Sequence, residues 1–265
     1  MIMSDSFMQK SFFAGFLQFD VKSVDIDSNL SCVEQGLAKI AASCGPISPG
    51  IIVLPELWAT GFAYEKLPDL SRKIPALLEN LQTLAAKYKI HIAGSLPEYS
   101  ENFYYNTLFI ISPKGLAGTY RKQRLFNPMH EDTFFTSGKT PRPIQTDLGP
   151  IGALICYDLR FPELLREQTS LKADLAVVSA QWPAARMGHW RILLQARAIE
   201  NQIFIVAANR YGTTGDTTFG GHSMVIGPDG SILLEASEGE EFKGTDIDLE
   251  MISTARALFS TVPTA

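Results

Sequence analysis

The sequence is poor in the residues that mark a metalloprotein, a secreted scaffold or a nucleic-acid binder. Its 265 residues hold three cysteines, Cys32, Cys44 and Cys156, an odd number without metal-ligand spacing. That argues against a disulfide framework and for a reducing compartment. His91, His130, His189 and His222 are scattered along the chain, so neither a metal nor any other cofactor is expected. Lys and Arg number 23 against 28 Asp and Glu, a net charge of -5, and no basic run is interleaved with aromatics. Nucleic acid and anionic membrane are therefore excluded as main partners. No apolar run approaches the ~20 residues that span a bilayer. The N-terminal patch MIMSDSFMQKSFFAGFLQFDVK is broken by Asp5, Lys10 and Asp20 and has no small-residue cleavage site, so a cytoplasmic protein is expected. Low-complexity linkers and solenoid repeats are also lacking, which predicts a single domain over residues 1–265.

What is present is a regular alternation of strand-like and helix-like segments. Aliphatic or β-branched runs recur at 12–21, 50–56, 90–98, 104–112, 115–122, 151–158, 173–180, 202–210, 221–227 and 230–236. Several are continuous, as strands covered on both faces should be. Helical spacing marks 26–44, 74–89 (Leu77, Leu78, Leu81, Leu84, Ala85) and 187–202 (Trp190, Leu193, Leu194, Ala198). SPKG at 112–115 and GPDG at 227–230 read as hairpin turns. The expected class is α/β, with a large mixed sheet or two sheets and helices outside.

Three polar residues stand where strand patterns end. Cys156, in IGALICYDLRFPELLRE, follows an apolar strand and precedes a helix pattern. It is either an inert buried thiol or a nucleophile favoured as thiolate by a helix N-terminus. Glu56, in LPELWATGF, either opens a turn or is a partly desolvated base. Lys122 sits among Lys114, Arg121 and Arg124, either on a solvated edge or turned inward. A positive charge about 4 Å from a thiolate is worth ~4 kcal/mol at an effective dielectric of about 20. That would ionise a thiol of ordinary pKa ~8.5 at neutral pH.

The order of Glu in LPELWATGF, Lys in YRKQRLF and Cys in ICYDLRFPE resembles the nitrilase, or carbon–nitrogen hydrolase, superfamily over nearly the whole chain. The resemblance implies a four-layer αββα sandwich that dimerises through helices, and a Glu56–Lys122–Cys156 triad. It also implies a supporting acid at Glu131 in MHEDTFFTSG. The implied chemistry is thioester hydrolysis of a small-molecule amide without a cofactor, its oxyanion held by Lys122 and the backbone N–H of Tyr157.

Arg160 is either a surface ion-pair partner of Glu163 or Asp158 or, by the resemblance, a clamp for a substrate carboxylate. SAQWPAARMGHWRILLQARAIENQ is similar to the omega-amidase branch, acting on 2-oxoglutaramate and 2-oxosuccinamate, with Trp182 as pocket wall rather than simple core. Arg197 and Glu200 read as a structural ion pair, and the Gly/Thr-rich loop 210–221 as a candidate pocket mouth. An N-carbamoyl-amino-acid hydrolase, a nitrilase, a deaminated-glutathione amidase and a non-enzymatic regulatory member remain alternatives.

Overall fold

The computed structural model describes residues 11–261, so Met1 to Lys10 of the N-terminal patch lie outside the described residues. The chain forms β1 (Ser11–Gln18), β2 (Gly50–Val53), β3 (His91–Ser100), β4 (Phe103–Ser112) and β5 (Gly115–Arg121). Then come β6 (Ile144–Thr146), β7 (Gly149–Ile155), β8 (Leu175–Ala180) and β9 (Phe204–Asn209). A small hairpin follows, β10 (Tyr211–Thr214) and β11 (Thr217–Gly220), and then β12 (Met224–Ile226), β13 (Ile232–Glu235) and β14 (Glu241–Asp248). One sheet has the order β14-β1-β2-β3-β4-β5, the other β13-β12-β9-β8-β7-β6. Their centres are parallel (β1–β2–β3 and β7–β8–β9) and the flanking pairs antiparallel.

Side-chain alternation builds the layers. Phe12, Ala14 and Phe16 of β1 meet Ile151, Ala153 and Ile155 of β7 and Val206 of β9 in one core between the sheets. The opposite parity, Phe13 and Leu17 with Ile52 of β2, lies under helices α1 (Ile26–Cys44) and α3 (Ile74–Tyr88), which precede and follow the one-turn α2 (Leu67–Ser71). On the other sheet Ala176, Val178 and Ile205 lie under α5 (Pro162–Ser170) and α6 (Met187–Asn201). A single turn, α4 (Glu131–Phe134), precedes these, and α7 (Glu250–Leu258) comes last. This is the four-layer αββα sandwich.

The three helices read from spacing begin and end within a residue of their expected bounds. Asp25 caps α1 by accepting from the Ser28 N–H (3.1 Å), while Gly45, Lys89 and Gln202 end α1, α3 and α6 at positive φ. SPKG and GPDG both turn hairpins. The strands missing from the sequence reading are β6, β10, β11 and β14. Along β14 only Phe242 and Ile247 are large and apolar, because one edge and much of one face stay wet. No helix among the described residues is long and apolar enough to cross a membrane.

Candidate active site

Glu56, Lys122 and Cys156 come together past the carboxyl ends of β2, β5 and β7. Strand parity decides which basic residue of YRKQR turns in. Tyr120 faces the inter-sheet core, so Lys122, two residues on, shares its side and is 2% exposed. Arg121 points the other way, to a two-pronged pair with Glu98 (2.8 and 2.7 Å) and over the Tyr105 ring. Arg124 pairs with Glu163 and Lys114 with Asp147, both near the surface.

Parity alone would send Cys156 outward beneath α5, because Ile155 faces the opposite sheet. Instead Cys156 has φ +46°, and its side chain packs against both the inter-sheet and the outer core. A left-handed non-glycine residue is strained, and here the strain aims the thiol across the sheet ends. Leu57 (φ +43°) and His130 (φ +55°) stand beside Glu56 and Glu131 in the same way. The expected helix N-terminus at the thiol is corrected. A 3-10 turn, Cys156–Arg160, comes first, and α5 begins only at Pro162.

The site floor is a closed set of hydrogen bonds. Lys122 Nζ donates to Glu56 Oε1 (2.7 Å) and to both Glu131 oxygens (2.9 and 2.8 Å). Asn106 Nδ2 bridges the same carboxylates (2.8 and 3.1 Å), and the Phe126 N–H donates to Glu131 (2.7 Å). Glu56 and Glu131 are 0% and 1% exposed. The Gln181 side chain donates to the Glu56 carbonyl (2.7 Å), and the Cys156 thiol lies 3.9 Å from the Gln181 carbonyl oxygen.

Burial, and then the Glu131 charge, raises the Glu56 carboxyl above the ordinary carboxylate value against the pull of Lys122. Burial and the Glu56 charge push the Cys156 thiol well up. Although burial opposes it, the two carboxylates hold the Lys122 ammonium charged. Lys122 favours the thiolate, as expected, but its ammonium is bonded to Glu56 and Glu131, and burial outweighs its pull on the thiol.

Asp158, weighed from sequence only as a surface partner of Arg160, is instead 0% exposed. It accepts from Tyr120 Oη (2.9 Å) and from the N–H groups of Gln123 (3.2 Å), Arg124 (2.8 Å) and Ile155 (3.1 Å). These four donors tie the cysteine turn to the lysine strand, while burial pushes Asp158 up to about 6. Asn106 and Gln181 were also missed; the only signal was one amide inside an apolar strand and one just past the end of another.

Above the floor opens a cavity, with Phe62, Tyr64 and Phe126 among its walls. Tyr157, Arg160 and Trp182 also line it, so every site residue read from the sequence borders one space. Tyr157 is second in its turn, where an N–H has no intrahelical acceptor. The Arg160 guanidinium lies over the Trp182 ring (4.6 Å) and within 3.2 Å of His189 Nδ1, and pairs with neither Glu163 nor Asp158. Arg197 bonds Glu200 (3.1 Å) as expected and also the Leu159 carbonyl (2.8 Å), so it anchors α6 to the cysteine turn. The 210–221 loop is a hairpin that does not border the cavity. Its Gly220 N–H reaches the Trp182 carbonyl, and Arg210 reaches Gln181, so it supports the site from behind.

Residues 14–257 match the model of the carbon–nitrogen hydrolase family. The chain is 35% identical to the 2-oxoglutaramate amidase of Bacillus subtilis (strain 168) over 243 residues, 91% of this chain and 92% of that protein. It is 34% identical to the omega-amidase YafV of Escherichia coli (strain K12) over 206 residues, 77% and 78% of the two. Among solved structures, Nit3 of Saccharomyces cerevisiae, a member of branch 10 of the nitrilase superfamily, superposes with a TM-score of 0.87 at 28% identity over 97% of both chains. A family match that runs through both sheets and every segment of the site leaves one assignment: this chain belongs to the carbon–nitrogen hydrolases and cleaves carbon–nitrogen bonds by hydrolysis.

Proposed function

We propose that this hydrolase is a single-domain omega-amidase, releasing ammonia from 2-oxoglutaramate or 2-oxosuccinamate through a thioester on Cys156. The observation that carries the reading is the polarity of the cavity. A thiol, an ammonium and two carboxylates form its floor, and guanidinium groups stand at its mouth. The names of relatives similar to this chain support it.

In the first half-reaction Glu56 takes the thiol proton as Sγ attacks the carboxamide carbon. The carbonyl π pair moves onto oxygen, where Lys122 Nζ and the Tyr157 N–H hold it. As that pair returns, the C–N bond breaks, and the proton on Glu56 goes to the departing nitrogen, giving ammonia and a thioester. Glu56 then takes a proton from water, hydroxide oxygen adds to the thioester carbon, and the C–S bond breaks. The sulfur takes that proton back from Glu56, and the carboxylic acid product leaves, passing its own proton to ammonia or water to become the carboxylate. Every proton and electron pair comes from these side chains, the substrate and water. Glu131 and Asn106 position Lys122 and Glu56.

The decisive experiment is ammonia release from 2-oxoglutaramate, 2-oxosuccinamate, carbamoyl amino acids and nitriles. Preference for the two oxo-acid amides is expected; activity on a nitrile or a carbamoyl amino acid alone overturns the reading.

The pH profile follows from the same groups. Ionised Glu56 is the base, and its pKa is raised, so kcat/KM falls below a midpoint that lies above the ordinary 4.5 of a glutamate. Burial pushes the thiol well up and the two carboxylates hold the ammonium charged, so no second rise is expected where an ordinary thiol of pKa ~8.5 ionises. A steady rise there would mean that a preformed thiolate is required. We place the enzyme in the cytoplasm as a homodimer. The outer face of α6 supports a second copy there, with Ile192 66% and Ile199 47% exposed.

A further inference from the structure

The cavity mouth carries a second guanidinium that the sequence reading did not single out. Arg186 borders the same space as Arg160, and its backbone carbonyl accepts from Trp182 Nε1 (2.9 Å). Trp182 thus holds both arginines, one stacked on its ring and the other's backbone tied to its indole N–H. The Arg186 charge acts on Arg160, which is also partly desolvated. Among the described residues neither guanidinium meets a carboxylate. Glu163 is engaged by Arg124, and the Asp158 oxygens are taken by Tyr120 and three backbone N–H groups.

One guanidinium satisfies a carboxylate with two parallel hydrogen bonds. A second, uncompensated cation beside it is surplus for a plain carboxylate and costs repulsion while the site is empty. Two guanidiniums present donors only, so the matching ligand end presents acceptors only. A 2-oxo carboxylate does this, with carboxylate and keto oxygens able to lie in one plane. A 2-amino carboxylate instead puts an ammonium, itself a cation and a donor, where the keto oxygen would lie.

We propose that Arg186, acting with Arg160 across Trp182, is a specificity-determining residue that admits amides bearing a distal 2-oxo carboxylate and rejects their 2-amino counterparts. This rests on the omega-amidase reading and adds the group that separates an oxo-acid amide from the amino-acid amide of equal length.

The test compares kcat/KM for 2-oxoglutaramate, L-glutamine and butyramide in the wild-type protein, Arg186→Met and Arg186→Lys. Arg186→Met is expected to lose at least about tenfold more on 2-oxoglutaramate than on butyramide, and to narrow the 2-oxoglutaramate to glutamine ratio by a similar factor. Arg186→Lys, which keeps the charge and loses the fork, should retain most of the discrimination against glutamine. Equal losses on all three substrates, or an unchanged ratio, overturn the proposal.

Binding to the Cys156→Ala protein provides an arm independent of turnover. Arg186→Met in that background should weaken 2-oxoglutarate at least about fivefold more than L-glutamate. Equal weakening overturns the role of Arg186 even if the amide panel succeeds. If wild-type protein turns over butyramide but not 2-oxoglutaramate, the omega-amidase reading fails, and the binding arm still decides Arg186.

Discussion

Glu56→Gln is expected to lower kcat by about 10³–10⁴-fold while the protein stays folded, because one carboxylate serves as base and acid in both half-reactions. Glutamine keeps the shape of the side chain, and its oxygen can accept from Lys122 and Asn106 where Glu56 Oε1 does now. Its amide nitrogen then faces the Gln181 N–H, so one weak bond at 3.3 Å is lost. That costs on the order of 1–3 kcal/mol. The charge balance offsets part of it. With the thiol neutral, Glu56, Glu131 and Lys122 carry one net buried negative charge, and the substitution removes it. The check is kcat beside urea unfolding. An intact unfolding transition with turnover within tenfold of wild type would put the base elsewhere.

How legible this site was depends on what carries each part of it. The two sheets and their helices follow from apolar runs and helical spacing, because the layers are built from parity and period. Lys122 is legible after the fact by the same rule: it shares parity with buried Tyr120, and Arg121 does not. Cys156 is not legible that way. Its direction is set by one left-handed residue, φ +46°, which breaks strand alternation, and a turn of that kind leaves no periodic trace. Asp158 was misjudged because an aspartate three residues after a strand usually faces water. Here four donors, three of them from the distant run 120–124, converge on it, and only the tertiary fold brings them there. Strand β14 was invisible because a half-wet strand needs few apolar residues, and the support of Gln181 by Arg210 spans segments that no local pattern links. Arg186 is exposed and irregularly placed, so the sequence showed no more than another surface arginine.

Lys122→Met is expected to damage both turnover and stability, and for two separable reasons. It removes an oxyanion donor, worth about 10²–10³-fold in kcat. It also leaves Glu56 and Glu131, 0% and 1% exposed and bridged by Asn106, without a cation. Breaking a buried ion pair from one side typically costs about 3–5 kcal/mol. Either carboxylate can escape the repulsion by taking a proton, so its folded pKa rises above its unfolded value. The sign follows. The penalty is full at pH values above that raised pKa and is relieved as pH falls through it, so the stability gap to wild type narrows on acidification. Denaturant unfolding at about pH 8 and pH 5 measures the gap.

The double variant Lys122→Met/Glu131→Gln separates the two roles. It restores the single net negative charge of the wild-type floor, so most of the lost stability at about pH 8 should return. Turnover should not return, because neither new side chain can hold an oxyanion as an ammonium does. A single variant as stable as wild type at about pH 8 would show that Lys122 does not balance the buried carboxylates. Recovered turnover in the double variant would remove Lys122 from the chemistry and leave it a counter-ion.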